Sequence, residues 1–281
     1  MNGFARRKVY DRVFAALCAG AVLFCAVALL TILGKVLFDG LARLNWAFLA
    51  SGLSHRPEET GIWPAILGSV FLVTLTMLIS APVGIAAAVY LEEFASGAGR
   101  LGALLRIGAA NLAGVPSLVY GLVGLAIFVR QFHMGQSIVA GALTLSLVVL
   151  PMVVIVTQEA LRTVPQDYRE ASVALGSTGW QSVRHQVLPA ARRGIWTGLL
   201  LALSRAAGET APLIVVGAAY FVTGAPKGLN DSYTVIPMQI FSWSSDARRD
   251  FHADAAAATL LLMTVLLLLN GVVYRLRQRG R

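Results

Sequence analysis

The sequence predicts an all-α, polytopic membrane protein with six transmembrane helices. Of its 281 residues, 57% are apolar and only 13% are charged, whereas soluble domains are about 45–50% apolar and about 25% charged. Five stretches of at least 20 residues contain no Asp, Glu, Lys or Arg, and about 20 apolar residues in a helix cross the hydrocarbon core of a membrane. These two observations exclude a soluble enzyme, a disordered chain and a disulfide scaffold.

The charge-free stretches set the limits of the predicted helices. A sixth apolar run is interrupted by Arg205 and Glu209 and then continues to Lys227. The helices are predicted at residues 13–37, 63–91, 110–130, 137–158, 194–222 and 254–275. The alternative for the first helix is a cleaved signal peptide, but its apolar core is too long and no convincing A-x-A cleavage site is present. A retained first span that follows a cytoplasmic segment, residues 1–12, is therefore predicted.

The basic residues predict which segments face the cytoplasm. With the N-terminus inside, 15 of the 23 Lys and Arg residues lie in cytoplasmic segments, 7 lie on the other side and Arg205 lies within a span. Of the 14 acidic residues, 6 lie in cytoplasmic segments, 7 lie on the other side and Glu209 lies within a span. The whole net charge of +9 therefore falls on the cytoplasmic face. Because cytoplasmic loops carry an excess of Lys and Arg, we expect both termini in the cytoplasm. The dispersal of these charges around helix ends argues against nucleic-acid binding.

The predicted cytoplasmic loop at residues 159–193 is unusually long, and long loops usually have a function. A helix is predicted to start at Pro165, which suits a first helical turn, and Asp167 and Glu170 follow near this start, where the helix dipole favours acidic residues. Gly176 is suited to end this helix in the left-handed conformation. The loop is therefore predicted to form a compact helix–Gly–helix knob.

The second helix of the knob is predicted to be short. Thr178 and Gln181 have the spacing of a capping box, and Leu188-Pro189 is expected to end the helix. Its predicted apolar face consists of Trp180, Val183 and Val187. The alternative is an amphipathic hairpin that lies on the bilayer with its arginines facing lipid phosphates. These arginines are Arg184, Arg192 and Arg193.

The same loop resembles the EAA motif of the permease subunits of bacterial ABC importers. In that motif Glu-Ala-Ala is followed after three residues by Gly, and after nine more by Ile-x-Leu-Pro. The corresponding residues here are Glu170, Ala171, Ser172, Gly176, Gln186, Val187, Leu188 and Pro189. Ser172 stands in place of the second Ala and Gln186 in place of the Ile, while the spacing is kept.

Three further segments narrow the resemblance to the PstA-type permeases of phosphate-specific ABC importers. They are Tyr90-Leu91-Glu92-Glu93, Asn111-Leu112-Ala113-Gly114-Val115-Pro116-Ser117 and Ala206-Ala207-Gly208-Glu209-Thr210-Ala211-Pro212-Leu213. The sister permeases of the PstC type usually carry a Glu-Thr-Met segment at the last of these positions. The resemblance covers about residues 60–275, and the permease core is predicted at residues 63–275.

This resemblance implies a subunit that moves inorganic phosphate into the cytoplasm across the bacterial inner membrane. It implies coupling to a separate ATPase through Glu170, Ala171, Ser172, Gly176, Trp180, Leu188 and Pro189. The implied partners are a homologous PstC-like permease, a PstB-like ATPase dimer and a PstS-like periplasmic phosphate-binding protein. The outer loop 223–253 is placed where that binding protein would dock. No cofactor is expected in this chain, because ATP and Mg²⁺ would be bound by the ATPase.

The sequence itself contains no motif for ATP hydrolysis or for other catalysis. A Walker A loop ends in Gly-Lys followed by Ser or Thr, and Lys8, Lys35 and Lys227, the three lysines, lie in no such motif. No metalloprotease, C-x-x-C or nucleophile-elbow motif is present, and the four histidines are scattered over separate loops. We therefore expect a transport subunit that is not an enzyme and holds no metal.

Arg205, Glu209 and Thr210 form a second candidate site. Charged side chains are costly in hydrocarbon, and residues four apart share one face of a helix, so Arg205 and Glu209 are predicted to pair within the fifth span. Three roles stay open at this point. The pair is a structural ion pair, or Arg205 lines a pathway and transiently binds an anion while Glu209 keeps that binding weak, or Glu209 relays protons.

Other functions also stay open. The nearest is a permease for another oxyanion, such as molybdate, sulfate or phosphonate. A stand-alone secondary transporter would show an internal repeat and several ionisable groups near the membrane midplane, and a membrane-embedded enzyme would show a catalytic set; the sequence shows neither. Gly194-x-x-x-Gly198 predicts a close helix contact, either within this chain or with a partner permease.

Overall fold

The structure is a computed structural model that describes residues 3–95, 104, 107–108, 111–217, 222 and 224–278. These residues form helices, turns and loops without a strand, which confirms the all-α prediction. The elements are α1 (Gly3–Arg43), α2 (Trp46–Ala50), α3 (Trp63–Val89, extended by a π-helical turn at Tyr90–Phe94), α4 (Ser117–Gly124, extended by a π-helical turn at Leu125–Gln131), α5 (Ile138–Arg162), α6 (Gln166–Ala174), α7 (Gly179–Ser182, extended by a π-helical turn at Val183–Val187), α8 (Leu188–Gly208), α9 (Ala211–Val216), α10 (Ile236–Ser244) and α11 (Phe251–Gln278).

Helix α5 is the centre of the bundle. In its most apolar stretch 67% of the residues are buried, compared with 22% in α3 and none in α1. Helices α3 and α8 pack on it, α4 packs on α9, and α11 packs on α8, α10 and α1. Hydroxyl groups reinforce the contact between α3 and α5, since Thr76 donates to the carbonyl of Ala142 and Ser146 to the carbonyl of Thr76. Such interhelical hydrogen bonds stabilise helix pairs in membranes.

Four helices in the described part of the chain are long and apolar enough to cross a membrane. They cover Tyr10–Arg43, Trp63–Phe94, Ile138–Arg162 and Phe251–Leu276, and a shorter apolar helix covers Ser117–Gln131. Each of the four includes or nearly includes a predicted span, and each runs beyond at least one of its predicted limits. The ends differ because hydrogen bonding continues through charged residues that a search for charge-free stretches excludes.

Two predicted spans are interrupted. In the predicted helix 110–130, a turn at Gly114 and Val115 separates residues 111–113 from α4. The predicted helix 194–222 is split, because α8 ends at Gly208, Glu209 has extended backbone angles and α9 ends at a left-handed Gly217. Proline follows each break, with Pro116 immediately before α4 and Pro212 in the first turn of α9, where a missing N–H leaves no helical hydrogen bond unmade. Residues 110 and 218–221 of these predictions lie outside the described part.

Loops that the charge distribution places on one side of the membrane contact one another. At one end, the side chain of Arg248 donates a hydrogen bond of 2.9 Å to the carbonyl of His55, which joins the first and last outer loops. At the opposite end, Arg162 pairs with Glu92 across 2.9 Å, which joins the segment after α3 to the end of α5. Each of these two contacts joins segments that the count of basic residues assigns to the same side.

A buried ion pair holds α1 to the start of α11. Arg43 Nε lies 2.6 Å from Asp254 Oδ1, and the Asp254 side chain is 1% exposed. Arg43 also donates to the carbonyls of Pro57, Glu58 and Thr60, so its guanidinium is satisfied on several sides. The other carboxylate oxygen, Asp254 Oδ2, is buried without a hydrogen-bond partner among the described residues, so the pair is satisfied only on the arginine side. The pair fixes the outer end of α1 against the core.

The two glycines of the Gly194-x-x-x-Gly198 motif face α5 within this chain. A Cβ atom on Gly194 would lie 2.8 Å from the Cβ of Ala160, and one on Gly198 would lie 2.7 Å from Cγ2 of Val156. Real Cβ contacts are longer, so these positions require glycine for the observed separation of the helices. Of the two sequence alternatives, the structure favours the contact within the chain.

This close approach predicts a position-dependent response to added methyl groups. We expect Gly194→Ala to destabilise the bundle by about 1–3 kcal/mol, the usual effect of overpacking. Gly208→Ala in the same helix is the matched control, because nothing lies within 4 Å of a Cβ there. The measurement is the temperature at which the detergent-purified protein loses its monodisperse gel-filtration peak. An equal midpoint for the two variants would contradict the close contact.

Candidate functional site

Residues 163–187 form a helical knob at the end of α5. Its first helix, α6, ends in a Schellman motif: Gly176 N–H donates to the carbonyl of Val173 at 2.9 Å and Ser177 N–H to that of Ser172 at 3.2 Å. Gly176 has φ +85°, the left-handed conformation in which a side chain is strained. The helix end predicted at this glycine is therefore present.

The second helix of the knob starts as predicted but does not stop as predicted. Thr178 Oγ1 accepts from the N–H of Gln181 and the Gln181 side chain accepts from the N–H of Thr178, which completes the capping box. The predicted end at Leu188-Pro189 is wrong, because the helix continues through the π-helical turn into α8. Pro189 lies in the first turn of α8, where proline is tolerated. The knob is thus the start of a continuous helical rod from Gly179 to Gly208.

The knob exposes a group of large apolar side chains. They are Tyr168, Val173, Leu175 and Trp180, and all are more than half exposed. Glu170 and Ala171 are exposed beside them, whereas Ser172 is buried. A group of this kind marks a surface for a protein partner or for the membrane.

The predicted common face of Trp180, Val183 and Val187 is wrong. Val183 and Val187 are buried, but Trp180 is 54% exposed. Trp180 lies in the first turn of the second helix, before the π-helical turn, where it lines a groove beside Phe94 instead of the core. Gln186, which stands where the EAA motif has an apolar residue, is exposed. An apolar side chain at this position would therefore not be buried in this chain.

Two ion pairs connect the knob end of the bundle, and the sequence analysis assigned no role to them. Arg162 Nε and Nη2 donate to the two carboxylate oxygens of Glu92 at 2.9 and 3.0 Å. Arg169 Nε and Nη2 donate to those of Glu93 at 3.0 and 2.7 Å. The hydrogen bonds to Glu93 raise the pKa of Arg169 above its usual value although partial burial opposes this. In the sequence, the only indication of these pairs was the acidic Glu92-Glu93 and a basic loop predicted on the same side of the membrane. This charge pattern does not identify which arginine pairs with which glutamate.

The membrane pair is present but is not one turn of a continuous helix. Arg205 Nε lies 3.9 Å from Glu209 Oε1, and Glu209 is the residue at which α8 ends. The Arg205 side chain is 54% exposed and that of Glu209 is 17% exposed. The Thr210 hydroxyl donates to the carbonyl of Gly208 at 3.5 Å. Among the residues that the structure describes, the Arg205 guanidinium makes this one long contact, so it has donors available for a further partner.

The two candidate sites lie far apart on one rod. Leu188 and Pro189 begin α8, and Arg205 is near its end. At 1.5 Å per residue, Arg205 is about 25 Å from Leu188. The structure therefore separates a knob at one end of the bundle from an ion pair inside it. No group of His, Cys, Asp and Glu suited to a metal ion occurs among the residues described.

Comparison with known proteins gives one family and one fold. Residues 80–281 match the family described as binding-protein-dependent transport system inner membrane component. The chain is 33% identical over 279 residues to the phosphate transport system permease protein PstA 2 of Mycobacterium bovis, covering 98% of this chain and 91% of that protein. It is 33% identical over 269 residues to the phosphate transport system permease protein PstA of Pasteurella multocida, covering 94% of each.

Solved ABC transporters share the fold. A chain of the MetNI methionine transporter in an inward-facing conformation has a TM-score of 0.58 at 18% identity, covering 79% of this chain and 95% of that chain. A chain of a bacterial importer of the polysaccharide alginate has a TM-score of 0.57 at 15% identity, covering 95% and 99%.

The left-handed glycine of the knob predicts a specific order of variants. We expect Gly176→Val to destabilise the end of α6 by about 1–2 kcal/mol, since β-branched residues resist positive φ. Gly176→Asn is the matched control, because Asn tolerates this conformation. The measurement is amide hydrogen exchange at residues 172–178, which should be about 5–30-fold faster in the valine variant alone. Equal exchange in both variants would contradict the role of backbone strain.

Proposed function

This chain belongs to the family of inner membrane components of binding-protein-dependent transport systems, and from that membership we propose that it is the permease subunit through which inorganic phosphate enters the cytoplasm. The observation that carries the substrate is the 33% identity to a phosphate transport permease over 98% of this chain. The multi-pass helical bundle, with the fold of ABC importer permeases, agrees with a transport component.

The knob is the proposed contact for a separate ATPase. Its exposed apolar side chains, with Glu170 and Ala171 among them, supply a surface for a PstB-like ATPase dimer that binds ATP and Mg²⁺. A PstC-like permease would complete the pore, and a PstS-like binding protein would dock at the opposite end near loop 223–253. This arrangement places the knob and both termini in the cytoplasm and the bundle in the bacterial inner membrane.

The continuous rod explains how the knob acts at a distance. Because no break occurs between Gly179 and Gly208, a displacement of the knob moves a rod about 45 Å long as one body. The rod ends at the break beside Arg205 and Glu209, where the backbone leaves the helical conformation. An ATPase that contacts the knob differently in its ATP-bound and free states would thereby favour inward-open or outward-open forms.

Arg205 is the proposed transient contact for the anion. A guanidinium presents a planar fork of donors that matches two oxygens of a tetrahedral oxyanion. Its half-exposed side chain is held to Glu209 by a long contact of 3.9 Å, which leaves donors free. Glu209 keeps the local charge near neutral, so that an anion binds weakly enough to leave. If the pair had a structural or proton-relay role instead, substitutions at Arg205 and Glu209 would have different effects.

Substitutions at the pair test the pathway. We expect Arg205→Ala to reduce phosphate uptake at least a hundredfold while the importer still assembles, because the donors to the anion are lost. Arg56→Ala is the control, since Arg56 is an exposed arginine paired only with exposed Glu59 among the described residues. Uptake and co-purification of the partner subunits are measured together. Loss of the complex would instead support a structural pair, and normal uptake would remove Arg205 from the pathway.

The substrate is tested by ATP hydrolysis in the complete importer. This chain is reconstituted with its partner permease, ATPase and binding protein, and the binding protein is supplied without ligand or loaded with phosphate, molybdate or sulfate. We expect stimulation by the phosphate-loaded form alone. Stimulation by the molybdate-loaded or sulfate-loaded form would identify that anion, and not phosphate, as the substrate. No stimulation in an intact complex would contradict coupling through the knob.

A further inference from the structure

The end of α3 nearest the knob touches both helices of the knob. Glu93 accepts two hydrogen bonds from Arg169 of α6, at 3.0 and 2.7 Å. On the second helix, a Cβ atom on Gly179 would lie 3.8 Å from a ring carbon of Phe94, an ordinary van der Waals distance. Phe94 and Trp180 also line one groove at this junction. The knob therefore rests against α3, although it is connected in the chain to α5 and α8.

Arg169 is held from several directions. Besides Glu93, it donates to the carbonyl of Val164 at 2.9 Å and to that of Leu161 at 3.1 Å. Its side chain is 19% exposed and that of Glu93 is 9% exposed. Bidentate charge-assisted hydrogen bonds are strong and directional, and low exposure limits their screening by salt. A single side chain thus ties together the ends of α3 and α5 and the first helix of the knob.

The neighbouring pair Glu92–Arg162 serves as an internal comparison. It is also bidentate, at 2.9 and 3.0 Å, but the Arg162 side chain is 57% exposed. It joins α3 to α5, which already pack on one another. Exposed ion pairs contribute little, so this pair adds little to a contact that exists without it. Glu93–Arg169 joins α3 to α6, the first helix of the knob. Among the described residues, no other ion pair connects these two helices.

We propose that Glu93 and Arg169 are positioning residues that transmit the movement of the knob to α3. The proposal rests on the proposed function, since it concerns how the force of the ATPase is distributed. The second helix of the knob moves α8 directly, because the two form one continuous helical rod. Through Glu93 the knob moves α3 as well, so two helices that both pack on the central α5 are displaced together. Without this link, the knob turns with α8 while α3 stays behind.

The first test measures coupling in proteoliposomes that contain the complete importer and its phosphate-loaded binding protein. We expect Arg169→Gln and Glu93→Gln to leave assembly and ATP hydrolysis within about twofold of the parent, and to lower phosphate imported per ATP hydrolysed at least tenfold. The double variant should be no worse than either single one, because the same link is lost. Arg162→Gln, the matched control, should stay within twofold. Equal ratios for Arg169→Gln and Arg162→Gln would overturn the proposal.

Charge reversal separates the link from a general structural role. Glu93→Arg places two cations together and Arg169→Glu places two anions together, so each should uncouple the importer. The combined variant restores opposite charges and is expected to recover at least fivefold over either single reversal. It stays below the parent, because a glutamate at position 169 cannot donate to the two carbonyls. No recovery would contradict a direct Glu93–Arg169 link.

A third measurement does not depend on the substrate. Amide hydrogen exchange of the purified chain should be at least fivefold faster at residues 166–176 in Arg169→Gln than in Arg162→Gln. If the parent importer moves no phosphate but this difference is seen, the proposed substrate fails while the link between knob and α3 stands. If exchange is the same in the two variants, the link itself fails, whatever the substrate is.

Discussion

The absence of water in the hydrocarbon core is the constraint on which the rest of the structure depends. Each backbone N–H and C=O there must be paired within the protein, so the described spans are helices, and the largest break between them is covered by another part of the chain. At the largest break, α9 packs on α4, and Gly121 approaches the backbone of Pro212. The charged pair Arg205–Glu209 lies beside this break. Of the two breaks in the described spans, the one between α8 and α9 is thus the one that lies beside the charged pair.

How far sequence reasoning reached depends on the range of each interaction. Composition and charge-free runs gave the fold class and most spans, because crossing a membrane is a property of a single segment. The Schellman end at Gly176 and the capping box at Thr178 were found for the same reason, since each is complete within a few residues. The helix stop predicted at Leu188-Pro189 was wrong, because proline either ends a helix or lies in a first turn, and here the π-helical turn at Val183–Val187 runs directly into α8.

The contacts between segments distant in sequence were outside the reach of a single sequence. Glu93 and Arg169 are 76 residues apart, and several acids and arginines of the same loops satisfied the charge pattern equally well. The pairing is decided by how α3 and α5 align along their length, which side-chain packing sets. The role of the EAA-like residues was accessible only through the resemblance. The structure then adds their burial: Ser172 is buried, whereas Glu170 and Ala171 are exposed.

The buried pair Arg43–Asp254 joins residues 211 positions apart, and this has a consequence for assembly. Helix α1 is synthesised first, but the helix on which it packs is synthesised last. No residue in the most apolar stretch of α1 is buried within the protein. Helix α1 is therefore stable in lipid before α11 is synthesised. Docking of α1 is therefore a late event in the folding of this chain, after the core of α3, α5 and α8 has closed. A chain released before Asp254 is made would keep α1 inserted in the bilayer but unattached to the bundle.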